Sequence, residues 1–325
     1  MFKIENASKK ELIVEVRPSI VSSLYSSQSL KIAFIVSLFY LVLSFLLIGF
    51  KMEQLVLVLL FNGFYFASKV TRKFILGFSI FIIYWIIFDY MKAFPNYQFQ
   101  SVSIGELYEL EKKIFGFYRE GSLVTPNEFF IQNHTNVVDV LTGIAYLCWV
   151  PVPLVFAGIL FFRSRKYFFY FTLSFLLVNL IGFIGYYAYP AAPPWYVTQY
   201  GFDFNPATQG NAAGLARFDK LLGLGIFESI YSKSSNVFAA MPSLHASYML
   251  IVLYYGIRFG MKWNNIFFAI ILLGIWFSAV YNNHHYILDI LGGIFCAIIG
   301  IGIFQLWART KTGKRMISRL VAATT

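Results

Sequence analysis

Residues 285–307 read His285-Tyr286-Ile287-Leu288-Asp289-Ile290-Leu291-Gly292-Gly293-Ile294-Phe295-Cys296-Ala297-Ile298-Ile299-Gly300-Ile301-Gly302-Ile303-Phe304-Gln305-Leu306-Trp307. A helix crossing a bilayer core needs about 20 predominantly apolar residues at a 1.5 Å rise. This run supplies them with a single acid, Asp289, near its start. Seven further runs read the same way, at 32–50, 54–68, 74–90, 140–162, 167–188, 244–260 and 265–281, although 54–68, 74–90, 244–260 and 265–281 are short. The expectation is an all-α fold, a polytopic membrane helix bundle with about eight transmembrane segments.

Composition agrees. The chain is 58% hydrophobic and 13% charged, with 37 Phe and 22 Tyr, whereas a soluble domain carries about a quarter charged residues. Much of its surface must therefore face a solvent other than water. The net charge of +11 follows topology. Basic residues cluster at Lys3, Lys9, Lys10 and Arg17, at Lys69, Arg72 and Lys73, at Arg163, Arg165 and Lys166, at Arg258 and Lys262, and from Arg309 through Lys311, Lys314, Arg315 and Arg319. Every second connection is basic, the positive-inside pattern with both termini cytoplasmic. That distribution argues against nucleic acid as the partner of the charge. It places the connections 91–139, 189–243 and 282–284 on the opposite face, a periplasm or a lumen. No linker or repeat divides the chain. Residues 1–30 read as a cytoplasmic N-terminal segment without a cleavable signal, 31–307 as one transmembrane domain and 308–325 as a basic cytoplasmic tail. Cys148 and Cys296 lie in apolar runs and read as small buried hydrophobes.

The two long outer connections carry local order. Ser103-Ile104-Gly105-Glu106 reads as a capping box opening a helix with Ile104, Leu107, Leu110, Ile114 and Phe115 on one stripe, suited to the membrane interface. Thr125-Pro126-Asn127-Glu128 repeats the device with proline at the first helical position. The second connection opens Tyr189-Pro190-Ala191-Ala192-Pro193-Pro194-Trp195-Tyr196, stiffened by three prolines and bearing aromatic residues suited to the headgroup layer.

Three of the four histidines fall at helix ends on this outer face: His245 at the start of one segment, His284 and His285 at the start of another. Asp289 follows His285 by four, which puts the two on one helix face at roughly 5–6 Å between Cβ atoms. An acid inside an apolar helix is costly unless paired, and functional by default. A carboxylate on one ring nitrogen fixes the tautomer and leaves the other nitrogen as nucleophile or base. Two other readings compete: an Asp–His pair that only holds helices together, and a zinc site. The second is short of ligands, because histidine and acid at i,i+4 suit a ligand and its outer-shell partner. His134, in Asn133-His134-Thr135, reads as a wetted polar residue.

Pro242-Ser243-Leu244-His245 and His285-Tyr286-Ile287-Leu288-Asp289 resemble the second and third signature motifs of the type 2 phosphatidic acid phosphatase superfamily, Pro-Ser-Gly-His and Ser-Arg-x5-His-x3-Asp. Tyr189 to Tyr196, Gly214 to Gly223, Phe238 to Ser247 and His284 to Asp289 together are similar to the inositol phosphorylceramide synthase branch, and Thr125 to Phe130 to bacterial relatives. The resemblance implies a six-helix core with extra N-terminal helices and a site on the non-cytoplasmic face. The superfamily's first motif, Lys-x6-Arg-Pro, is absent: Gly182 and Tyr189 stand where its cations would be, and Ala279 replaces the arginine of the third motif. A phosphate monoester dianion needs strong cationic neutralisation and a diester carries one charge, so the loss favours a diester. Arg217 and Lys220 are candidates to replace that charge.

The resemblance further implies phosphatidylinositol as donor, a ceramide-type lipid as acceptor, no metal and no cofactor, and it names no protein partner. Its implied roles are His285 as nucleophile forming a phosphohistidine, Asp289 as its orienter and His245 as general acid and then base. Ser243, His284, Tyr189 and Trp195 join Arg217 and Lys220 as expected substrate contacts. Water as acceptor would instead make a lipid phosphatase or a phospholipase C-like hydrolase. A transporter or scramblase would place ionisable groups at mid-membrane depth in several helices, and here they cluster at the outer ends.

Overall fold

The computed structural model describes residues 24–233 and 236–325. The expected N-terminal cations Lys3, Lys9, Lys10 and Arg17, and most of the 1–30 segment, lie outside the described residues. The chain opens with three helices, α1 (Ser27–Ile48), α2 (Met52–Ala67) and α3 (Lys69–Tyr90). The first outer connection holds α4 (Gly105–Phe115), a short antiparallel hairpin of β1 (Phe117–Arg119) and β2 (Ser122–Val124), and α5 (Pro126–Gln132). There follow α6 (Asn136–Leu147), α7 (Pro151–Arg163) and α8 (Arg165–Ala188). The second outer connection forms α9 (Pro194–Tyr200), α10 (Ala216–Leu222) and α11 (Ile226–Tyr231), and the chain ends in α12 (Leu244–Phe259), α13 (Asn264–Tyr281), α14 (Ile287–Arg309) and α15 (Lys311–Thr324).

Each of the eight apolar runs becomes a helix or a helix pair. Six stretches are long and apolar enough to cross a membrane: Ser27–Ile48, Lys69–Ala93, Asn136–Arg163, Arg165–Ala188, Asn264–Tyr281 and Ile287–Arg309. The other two runs are α2 and α12, each of 16 residues, or roughly 24 Å of rise. The run 140–162 breaks after Leu147 because Pro151 opens α7 without an amide hydrogen to continue the ladder. That break turns Trp149 inward, beside His245.

At the centre, α8, α12, α13 and α14 pack with α7 around an aromatic core that includes Phe156, Phe168, Phe171 and Tyr255. Lipid tails supply no hydrophobic drive between helices, so close approach at small residues does the work. A Cβ on Gly300 would sit 2.5 Å from Val178 Cγ2 of α8. One on Gly293 would sit 2.0 Å from the carbonyl oxygen of Ser243. The second contact matters most for the site, because it seats the start of α12 directly on the first turns of α14. Ser243 N–H donates to Asp289 O at 2.8 Å, and Ser247 Oγ donates to Gly293 O at 2.7 Å.

Two elements gain detail. In α4 the buried face is Ile104, Leu107, Tyr108 and Glu111, while Leu110 and Ile114 are exposed. Glu111 turns inward to amide donors of α14. The basic segment 308–325 forms the helix α15, which buries Gly313, Ile317 and Thr324 against α8, α14 and α3. The second capping box forms, Thr125 and Glu128 exchanging bonds of 3.2 and 2.7 Å. The first does not: Ile104 is the N-cap of α4 without a side-chain cap, Ser103 N–H donates to Pro190 O at 2.8 Å, and Ser103 Oγ reaches only the Glu106 carboxylate at 3.3 Å.

Candidate active site

The starts of α12 and α14 meet at one end of the bundle and bring three histidines to one cavity of about 140 Å³. His245 Nδ1 lies 3.3 Å from His285 Nε2. On the far side of the same ring, His285 Nδ1 lies 3.4 Å from Asp289 Oδ2, ion-pair range rather than a closed hydrogen bond. Asp289 is fully buried. A charge at the centre of a membrane helix costs roughly 2.5–3.5 kcal/mol, but Asp289 stands in the first turn of α14, where the free amides favour an anion. Its Oδ2 accepts Tyr286 N–H at 2.9 Å, the capping bond of that helix. One carboxylate oxygen thus closes the helix start and faces the His285 ring.

The turn carrying the histidines is held from below and behind. Ala279 O accepts the amides of both His284 and His285 at 3.0 Å. Asn127 Nδ2 donates to Val280 O and His285 O, each at 3.0 Å. Trp195 N–H donates to Asn283 O at 3.0 Å, joining the proline-rich lip to the same turn. The His284 ring stacks on Tyr231 at 4.5 Å, and its Nε2 lies 2.8 Å from Ala212 O. A carbonyl only accepts, so Nε2 carries the proton. Burial, with His285 beside it, lowers the His284 pKa to about 3, and the ring is neutral at physiological pH.

Glu111 was absent from the sequence-based candidates. It is buried, and its carboxylate accepts Ile287 N–H at 2.9 Å and Leu288 N–H at 3.1 Å. Four amides at a helix start lack intrahelical partners; Tyr286's amide goes to Asp289, and Glu111 takes the next two. Burial raises the Glu111 pKa from its ordinary 4.5 to about 6, against the lowering effect of those two amides and with the negative charge of Asp289 adding to the rise. Because the folded value is the higher one, folding favours the protonated form. The resulting contribution to stability is full below about 4.5 and is lost as pH rises through about 6. The wild type is expected to lose thermal stability between those pH values, and Glu111→Gln is expected to flatten that slope in thermal unfolding measured across the range.

The remaining sequence candidates are placed as follows. Trp195 lines the cavity with His245, His284 and His285. Ser243 is buried behind it and acts through its backbone bond to Asp289. Tyr189 is 41% exposed, its hydroxyl 2.8 Å from Ser103 Oγ. Lys220 is exposed on α10. Arg217 points to α6, donating from Nε to the buried carboxylate of Asp139 at 2.8 Å, and Tyr281 Oη donates to the same oxygen at 2.9 Å. Its charge is committed to that acid, and through Asn282 Oδ1, 3.4 Å from Nη2, it braces the histidine turn. Among the described residues no Lys or Arg lines the cavity. The position of the missing motif lysine is filled: a Cβ on Gly182 would meet Leu244 Cδ2 at 2.5 Å. Opposite the histidines the wall is aromatic. Tyr84, Trp85 and Phe88 of α3, Trp149 and Tyr248 contribute to it, and Trp85 is 56% exposed on a helix long and apolar enough to cross a membrane.

The chain is 47% identical to a phosphoinositol dihydroceramide synthase of Bacteroides thetaiotaomicron over 280 residues, which cover 86% of this chain and 92% of the relative. It is 30% identical to the inositol phosphorylceramide synthase catalytic subunit AUR1 of Saccharomyces cerevisiae over 190 residues, 57% of this chain and 45% of that one. It is 38% identical to the inositol phosphorylceramide synthase of Candida albicans over 115 residues, 34% and 24% of the two chains. No solved structure matches. The PAP2 superfamily model matches residues 105–303, from the first helix of the outer connection through most of α14. The histidine motifs that carried the resemblance lie inside this match, and the chain belongs to the PAP2 superfamily.

Proposed function

We propose that this protein transfers the inositol-phosphate headgroup of phosphatidylinositol to the primary hydroxyl of a ceramide-type lipid, releasing diacylglycerol. The observation that carries the reading is the line Asp289–His285–His245, at 3.4 and 3.3 Å, with both histidines lining a cavity that is otherwise largely aromatic. The names of the relatives support the same chemistry.

The proton on His285 Nδ1 faces Asp289, so Nε2 carries the lone pair and His245 Nδ1–H donates toward it. Nε2 attacks phosphorus in line. As the bond from phosphorus to the diacylglycerol oxygen breaks, His245 gives that oxygen its proton. A phosphohistidine ester remains, and Asp289 stabilises the imidazolium character. The acceptor hydroxyl then returns a proton to His245 as its oxygen attacks phosphorus and the N–P bond breaks. A diester carries one negative charge, consistent with a cavity lined by no cation. Positioning and amide or imidazole donors carry much of such a transfer.

The bundle end away from the histidines holds the connections with Lys69, Arg72 and Lys73, with Arg163, Arg165 and Lys166, and with Arg258 and Lys262. That asymmetry supports a site on the periplasmic or luminal face and a cytoplasmic C-terminal helix. The test is purified protein in lipid with headgroup-labelled phosphatidylinositol, with and without ceramide. Label moving into a ceramide product is the expected result. Label appearing only as water-soluble inositol phosphate would make the protein a hydrolase.

A further inference from the structure

The aromatic wall of the cavity contains a directed chain of hydrogen bonds. Asn179 of α8 is fully buried, and its Nδ2 donates to Phe175 O at 2.8 Å, which turns its Oδ1 the other way. That oxygen accepts Tyr248 Oη at 2.7 Å. A phenol has one proton to give, and Tyr248 has given it. The 2.9 Å contact between Tyr84 Oη and Tyr248 Oη must therefore be donated by Tyr84. Both phenolic protons are spent, and what remains on Tyr84 Oη is an acceptor. The ring is held by stacking on Phe183 at 6.0 Å and by an edge contact to Phe175 at 5.6 Å. Tyr84 and Tyr248 both line the cavity that holds His245 and His285, and Tyr248 follows His245 by one helical turn toward the membrane interior.

We propose that Tyr84 is a specificity residue for the lipid acceptor, receiving the amide N–H of an N-acylated amino alcohol whose hydroxyl lies at His245. The inference rests on the transferase reading above. Tyr84 is half-buried and lines the cavity, so a ligand that displaces water there must supply a donor to this oxygen or leave it unfilled at a penalty. An N-acyl amino alcohol carries its N–H one carbon away from the reacting carbinol. A glycerolipid carries an ester oxygen at that place and offers no proton. The same cavity must release diacylglycerol and admit the new alcohol, so a device that tells amide from ester limits competition by the released diacylglycerol for the acceptor position. Tyr84 stands on α3, before the 105–303 stretch common to the superfamily, so the N-terminal helices supply the discriminating wall.

The experiment compares wild type and Tyr84→Phe with two acceptors, ceramide and its analogue with the amide N–H replaced by oxygen, at fixed phosphatidylinositol. The wild type is expected to favour the amide by about tenfold in kcat/KM. Tyr84→Phe is expected to lose that preference by falling on the amide alone, with ester transfer and the donor KM unchanged. A variant that keeps the wild-type preference, or loses both acceptors equally, overturns the assignment and leaves the transferase reading standing. A wild type that transfers to neither acceptor overturns both.

Discussion

Replacing His285 by alanine is expected to abolish headgroup transfer, lowering kcat by about 10⁴-fold or more. The size follows from the geometry. Nε2 is the nitrogen on the reacting side of the cavity, 3.3 Å from the proton carrier His245 and backed at the other nitrogen by Asp289. A neighbouring ring cannot take over, because His284 Nε2 is bound to Ala212 O and its ring is stacked on Tyr231. The fold should survive: the backbone of residue 285 remains tied to Ala279 O and to Asn127. The check is initial-rate transfer with folding verified by size-exclusion and thermal unfolding. Retention of more than a few per cent of activity by a folded His285→Ala protein would remove this residue from the nucleophile's role.

Asp289→Asn is expected to give the second-largest loss, about 10³–10⁴-fold in kcat with a small change in donor KM. The asparagine keeps an oxygen for Tyr286 N–H, so the helix start stays closed. That oxygen stands at the position that also faces His285 Nδ1, so the ring keeps its neighbour but loses the negative charge that stabilises the imidazolium. Removing the charge also removes one of the influences that raise Glu111. The stability slope between about pH 4.5 and 6 should therefore move toward lower pH in the same variant. A variant with near wild-type kcat would show that the pair only fastens helices.

Much of this site was legible in the primary structure, for a physical reason. An acid in an apolar helix has few stable arrangements, and i,i+4 spacing restricts its partner to His285. The meeting of α12 with α14 was also foreshadowed, since motifs at the outer ends of neighbouring segments share one depth. Glu111 was hidden because its partners are backbone amides of a helix far along the chain, which no side-chain pattern announces. A charged residue on a surface helix reads as solvated until its face is known. Arg217 was read as a free cation because Asp139 lies 78 positions away. Trp149 had a signal in Pro151 and Pro153, which interrupt an apolar run and force a break there. The Tyr84–Tyr248–Asn179 chain joins three helices, and nothing local in any of them marks it.

The most direct test of the central account is to mix the enzyme with headgroup-labelled phosphatidylinositol in the absence of acceptor, quench in alkali within the first turnover and look for label on the protein. The account predicts a base-stable, acid-labile adduct that maps to His285, is absent from His285→Ala and is discharged into lipid product when ceramide is added. Steady transfer to ceramide with no adduct at any quench time would contradict it, and would mean that the acceptor hydroxyl attacks phosphatidylinositol directly.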